Sequence, residues 1–141
     1  MIQDLDLSRR AVAAGWKWQA GAALAELIDG LPARVIGVTE YDGATLLHLS
    51  FGLHDVDGYY AELWMLPDFN DLATRGVLLQ QVRERWGDPG LYVQGQYSNG
   101  IWNWRVWGGK PHGGTFNLAT ERWHDSESAA LVAALEAAPK R

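Results

Sequence analysis

The sequence contains no cysteine and no long apolar run. Without cysteine, the 141-residue chain can form neither a disulfide framework nor a thiolate metal site. No apolar stretch approaches the roughly 20 residues that a membrane-spanning helix needs. The first ten residues, MIQDLDLSRR, place acids before bases and contain no apolar segment, so we expect no secretory signal peptide. These absences favour a protein of a reducing cytoplasm with no membrane partner.

Basic residues are fewer than acidic ones. The chain has 12 lysines and arginines against 17 aspartates and glutamates, a formal net charge of -5. The overall field of such a chain repels phosphate, although a local basic patch can still bind it. General nucleic-acid binding is therefore disfavoured, and a protein is the expected partner.

Common catalytic motifs are also missing. The sequence has no Gly-x-Ser-x-Gly, Ser-x-x-Lys, Gly-x-x-x-x-Gly-Lys or His-Glu-x-x-His. The most enzyme-like cluster is HDVDG, where His54, Asp55 and Asp57 place one imidazole and two carboxylates within four residues. Such a set can ligate a divalent metal or act in acid–base catalysis, but Asp and Gly are also common in turns for conformational reasons alone. We predict no cofactor and no catalytic residues, and keep a metal-dependent hydrolase as an alternative.

What the chain does contain is typical of a globular protein. Hydrophobic residues make up 48% and charged residues 21%, and the length is that of one domain, 1–141. Eight tryptophans are unusually many for this length. Such an excess suits either a core or an interaction surface.

Helix signals occur at the two ends and in the centre. Ser8 is a candidate N-cap for a first helix that Gly15 ends, and Ala22 to Ile28 is weakly helical. The clearest helix follows the cap Asp71 and ends at Gly87. Its expected apolar stripe is Leu72, Leu79, Val82 and Trp86, with Leu78 beside it, and its expected solvated face carries Arg75, Arg83 and Arg85. A last helix begins at Asp125 or Ser126, with Leu131, Val132 and Leu135 facing inward.

Between these helices the apolar residues alternate with a period of two. ARVIGVTE and TLLHLSFG read as strands joined by an Asp42-Gly43 turn, and YYAELWML reads as a third strand. In the second strand Leu47, Leu49 and Phe51 share one face, and His48 lies on the other. A further strand is expected at 115–120. The predicted fold is α+β: a mainly antiparallel sheet of about five or six strands, with two or three helices packed on one face.

Asn99-Gly100 predicts a hairpin between LYVQGQYS and IWNWRVW. A two-residue type I′ turn pairs Ser98 with Ile101 and thereby determines every other pair. One face then carries Val93, Gly95, Tyr97, Trp102, Trp104 and Val106, which we expect to be core. The opposite face carries Tyr92, Gln94, Arg105 and Trp107 and should be open to solvent. After the hairpin, Lys110 and His112 lie in a glycine-rich loop that can offer backbone N–H groups to an anion. We predict a partner-binding surface formed by Tyr92, Gln94, Arg105, Trp107, Lys110 and His112.

Two segments resemble a group of small uncharacterised proteins encoded by bacteriophages and prophages. The segments are LPDFNDLATRGVLLQQVRERWGDP, from Leu66 to Pro89, and SESAALVAALEAAP, from Ser126 to Pro139. The early RRAVAAGWKW is also similar to the N-terminal segment of that group. The central motif consists of a helix N-cap, the apolar stripe of that helix and the residues that end it. None of these indicates a catalytic activity. The resemblance implies phage origin and action in the cytoplasm of a bacterial host.

The leading hypothesis is a non-enzymatic phage accessory protein that binds a host or phage macromolecule, with inhibition of a bacterial defence system as one form. An alternative is a small-ligand or carbohydrate-binding module with stacking aromatic rings. Others are a metal-dependent hydrolase using His54, Asp55 and Asp57, and a structural component of the virion.

Overall fold

The structure is a computed structural model, and it describes residues 5–52, 57–62, 65–107 and 123–138. Within these ranges it has three helices and five strands, all paired antiparallel. The elements in chain order are α1 (Leu5–Ala13), β1 (Arg34–Tyr41), β2 (Ala44–Ser50), β3 (Asp57–Ala61), α2 (Leu72–Trp86), β4 (Tyr92–Ser98), β5 (Ile101–Trp107) and α3 (Glu127–Ala137). The predicted α+β class is confirmed. The described strands form two sheets rather than one, and the predicted strand at 115–120 lies outside the described residues.

The chain divides into two compact units. Unit 1 is Met1–Val12 with Lys17–Val77, and unit 2 is Ala13–Trp16 with Leu78–Arg141. Unit 1 contains the sheet β1-β2-β3, and unit 2 contains the hairpin β4-β5 and helix α3. The boundary falls inside α2, between Val77 and Leu78.

The sheet of unit 1 has the predicted hairpin and the predicted core face. Asp42 and Gly43 have φ values of 53° and 80°, as a type I′ turn requires. Leu47, Leu49 and Phe51 are all buried. Because side chains alternate along a strand, His48 lies on the opposite face, where its ring stacks on Tyr59.

The segment from Ala22 to Ile28 is not helical but contains isolated β-bridges at Ala23, Leu24 and Ile28, so the helix prediction there is wrong. Its backbone groups pair with other segments: the Leu24 N–H donates to the Ala33 carbonyl at 3.1 Å, and the Val35 N–H donates to the Ala22 carbonyl at 2.8 Å. Gly21, with a φ of 103°, turns the chain away from helical geometry at the start. These long-range pairings override the weak helical pattern.

Ser8 does not cap α1, which begins at Leu5. Its hydroxyl is buried and donates to the carbonyl of Pro67 at 2.6 Å. A cap hydroxyl accepts a bond from the first turn of its own helix, whereas Ser8 bonds to a residue 59 positions away. The N-cap prediction was therefore wrong.

Helix α2 confirms the clearest sequence prediction, with two differences in its faces. Asp71 caps it by accepting from the Thr74 N–H at 2.9 Å. Leu78 and Val82 are buried as expected, but Leu72 is exposed. The arginines do not form a purely solvated face: Arg83 Nε donates to the Leu91 carbonyl at 2.7 Å, and Arg85 Nη2 donates to the Gly15 carbonyl at 2.8 Å.

Helix α3 begins as predicted. The Ser126 hydroxyl accepts from the Ala129 N–H at 3.0 Å, so Ser126 is the cap. Leu131, Val132 and Leu135 are buried, and α3 packs against β4 and β5. Among the described residues, no helix is long and apolar enough to cross a bilayer.

Candidate binding surfaces

The hairpin of unit 2 has the register that Asn99-Gly100 predicts. Ser98 pairs with Ile101, Tyr97 with Trp102 and Tyr92 with Trp107. The two turn residues have φ values of 54° and 78°, which are those of a type I′ turn. The assignment of side chains to the two faces is therefore confirmed.

The face expected to be core is exposed near the turn. Val106, far from the turn, is 2% exposed, whereas Trp102 is 54% and Tyr97 is 61% exposed. The prediction that Trp102 is buried was wrong. Alternation shows which side chains share a face, but not how far along the strand the neighbouring elements cover that face.

The exposed rings form one cluster. The centroid of Trp102 is 5.4 Å from that of Tyr97 across the hairpin and 5.8 Å from that of Trp104 along the strand. The planes of Trp102 and Trp104 differ by 23°, an offset-stacked pair. We call the exposed side chains of Tyr97 and Trp102 the turn-end surface.

Gly95 makes room for this cluster. A Cβ atom at position 95 would lie 2.7 Å from Cζ3 of the Trp104 ring, closer than carbon atoms pack. The position therefore needs glycine for the close approach of the Trp104 ring.

Gly95→Ala should lower the free energy of unfolding by about 1–2 kcal/mol, because the Trp104 ring must shift within its stack. Gly76→Ala is the matched control, since a Cβ there meets nothing within 4 Å. In the interior of α2 it should raise stability by about 0.5–1 kcal/mol. Urea denaturation measures both, and equal effects of the two substitutions would contradict this role for Gly95.

The opposite face brings four predicted surface residues together. Tyr92 pairs with Trp107, and Gln94 pairs with Arg105. The Arg105 guanidinium carbon lies 3.8 Å from the Trp107 ring centroid and 4.3 Å from that of Trp123. Two indoles thus hold the guanidinium by cation–π contacts. Sequence reasoning missed Trp123, because no local pattern links it to a strand 18 residues earlier.

The predicted surface residues Lys110 and His112 lie outside the described residues.

The predicted metal loop is described in part. Asp57, at the start of β3, has its Oδ2 atom 3.3 Å from Nε2 of His48. His54 and Asp55 lie outside the described residues. Within the described ranges, no three metal-ligating side chains cluster.

Unit 1 contains a polar network that sequence reasoning did not find. Arg34 Nη1 and Nη2 donate to the two carboxylate oxygens of Asp71 at 2.9 and 2.7 Å. Asp71 Oδ2 also accepts from the Thr74 hydroxyl at 2.8 Å, and that hydroxyl accepts from the Ala23 N–H at 2.8 Å. The hydrogen bonds from Arg34, and then those from Thr74, hold the pKa of Asp71 well below its usual range, against the opposing effect of partial burial.

A pocket of about 400 Å³ lies beside this network. Its walls are mainly apolar, and its polar members are Arg34, Ser50, Asp68 and Asp71. Its volume is within the range of roughly 300–1,000 Å³ found for small-molecule sites. Unit 1 alone supplies all of these residues.

Comparison of the chain with models of known protein families, with curated proteins and with solved structures finds no match. The phage resemblance of the Leu66–Pro89 and Ser126–Pro139 segments therefore stays a prediction.

Proposed function

We propose that this chain is a non-enzymatic binding protein whose partner is another protein, and that the turn-end surface is the centre of the contact. The observation that carries the proposal is the exposure of Tyr97 and Trp102 on one face at the end of a defined hairpin. Large exposed aromatic residues are enriched where proteins bind each other.

The chemistry of the hairpin favours a protein over a nucleic acid. Between residues 92 and 107 the only charged side chain is Arg105, and two indoles cover its guanidinium. Nucleic-acid binding draws most of its affinity from cations that contact phosphates. The hairpin is instead rich in Tyr, Trp, Asn, Gln, Ser and Gly, which resembles the composition of antibody paratopes.

The stacking geometry disfavours the carbohydrate alternative. A sugar binds by laying its apolar face on an open aromatic ring, as a base does on a stacking platform. Trp102 is already stacked on Trp104, so part of its ring face is covered. The cluster therefore suits insertion into a pocket of a protein partner. The net charge of -5 favours basic residues around that pocket.

The resemblance to phage-encoded proteins supports a setting in the bacterial cytoplasm, with a host or phage protein as the partner. Inhibition of a bacterial defence system is one form that such binding takes. This setting depends on the motif in Leu66–Pro89 and not on the geometry of the hairpin.

The test is affinity capture of the tagged protein from bacterial lysate, with and without nuclease, followed by mass spectrometry. We expect one stoichiometric protein that survives nuclease, is lost with the Tyr97→Ala/Trp102→Ala variant and is retained with Tyr41→Ala. Tyr41 is a matched control because it is a 72% exposed tyrosine in unit 1. Capture that nuclease abolishes, or that the double variant leaves unchanged, would overturn the proposal.

A further inference from the structure

The pocket of unit 1 combines apolar walls with groups of both charges. Leu24, Pro32 and Phe51 are among its apolar residues. Sites for small molecules typically show this composition, with a few polar groups that orient the ligand. The hairpin belongs to unit 2, so a ligand site in this pocket is independent of the proposed function.

Arg34 presents a fixed hydrogen-bonding edge. Three of its N–H groups are used: Nη1 donates to the Gly21 carbonyl and to Asp71, and Nη2 donates to Asp71. The remaining two, Nε–H and the second Nη2–H, point in parallel and bond to no residue that the structure describes. The side chain is 45% exposed. Such an edge matches the two oxygens of a carboxylate.

Asp68 supplies the opposite charge. It lines the same pocket, and its Oδ1 atom accepts from the Asn70 N–H at 3.0 Å. A carboxylate has about four acceptor positions, so Asp68 can also accept from an ammonium group. The charged side chains in the wall are one arginine and two aspartates, Arg34, Asp68 and Asp71, with a formal sum of -1. A ligand with only a carboxylate is therefore disfavoured, and one that carries both charges is complementary.

We propose that this pocket binds a small zwitterion with an apolar body, namely a free α-amino acid with an aliphatic or aromatic side chain. The carboxylate lies on the free edge of Arg34, the ammonium group donates to Asp68, and the side chain contacts the apolar wall that includes Phe51.

Isothermal titration calorimetry of the full chain tests this with L-leucine and L-phenylalanine at up to about 10 mM, a range that reaches weak small-ligand affinities. Two analogues of leucine separate the charges: 4-methylpentanoate lacks the ammonium group, and 3-methylbutylamine lacks the carboxylate. We expect one of the two amino acids to bind. If leucine is the ligand, each of its single-charge analogues should bind at least ten-fold more weakly than leucine. If phenylalanine is the ligand, 3-phenylpropionate and 2-phenylethylamine take their place. No binding of either amino acid, or equal binding of the parent and an analogue, overturns the proposal.

Asp68→Asn removes the charge but keeps an acceptor for the Asn70 N–H. It should weaken amino-acid binding at least ten-fold while the variant stays folded, as a cooperative urea transition shows. Asp42→Asn is the matched control, because asparagine suits the positive φ of Asp42 in the type I′ turn. Unchanged affinity in Asp68→Asn, or an equal loss in Asp42→Asn, contradicts the role given to Asp68.

Discussion

Replacing Tyr97 and Trp102 together by alanine is expected to weaken binding of the protein partner by about 100-fold or more. Aromatic residues at the centre of an interface typically contribute about 2 kcal/mol or more each when truncated, and about 2.7 kcal/mol corresponds to 100-fold. Both side chains are more than half exposed, so the fold should survive. The measurement is the Kd for the captured partner, alongside urea denaturation of each variant.

The opposite face of the hairpin provides the decisive comparison. Tyr92→Ala and Trp107→Ala alter the surface that the sequence predicted, and we expect them to change the Kd less than Tyr97→Ala and Trp102→Ala do. Because Trp107 contacts Arg105, its substitution should act mainly on stability. A large loss of affinity with Tyr92→Ala, together with none for Trp102→Ala, would move the contact to the Tyr92 face.

The second large effect concerns Asp71. Asp71→Ala should lower the free energy of unfolding by about 3 kcal/mol, because it removes a helix cap, the ion pair with Arg34 and the partner of the Thr74 hydroxyl. The contribution of the ion pair is small because Arg34 is exposed. Asp71→Asn keeps an acceptor and should cost about 1 kcal/mol. Glu84→Ala, an exposed acid on the same helix, should change stability by less than about 0.5 kcal/mol.

The effect of Asp71 should also depend on pH. Its pKa is lowered in the folded protein, chiefly by the hydrogen bond from Arg34. The ionised carboxylate therefore stabilises the fold above the unfolded pKa of about 3.9, and this contribution is lost as the pH falls towards the folded pKa. The difference in unfolding free energy between wild type and Asp71→Asn should be largest near neutral pH and shrink below about pH 4. A difference that stays constant down to about pH 2 would contradict the assignment.

Local signals in the sequence predicted the elements with strong turns and caps. Asn99-Gly100 determined the register of the hairpin, and Asp71 marked the start of α2, because each acts over only a few residues. The pairing of Arg34 with Asp71 spans 37 positions and has no such signal. For the same reason, the bond between Ala22 and Val35 was missed, and the segment from Ala22 to Ile28 was read as a helix.

The extent of burial was the other feature that the pattern did not determine. The alternation in IWNWRVW placed Trp102 and Val106 correctly on one face. The alternation does not show how far along the hairpin other parts of unit 2 bury this face, because those parts are distant in sequence. The turn-end surface is the part of this face that stays exposed.

The hydrogen bond between Ser8 and Pro67 has a consequence for synthesis on the ribosome. The two residues are 59 positions apart, so at 5–20 residues per second the acceptor is made roughly 3–12 s after the donor. A nine-residue helix such as α1 is marginally stable by itself in water. During that interval α1 lacks its native contact with Pro67. The apolar side chains of this segment are then exposed to solvent and accessible to chaperones.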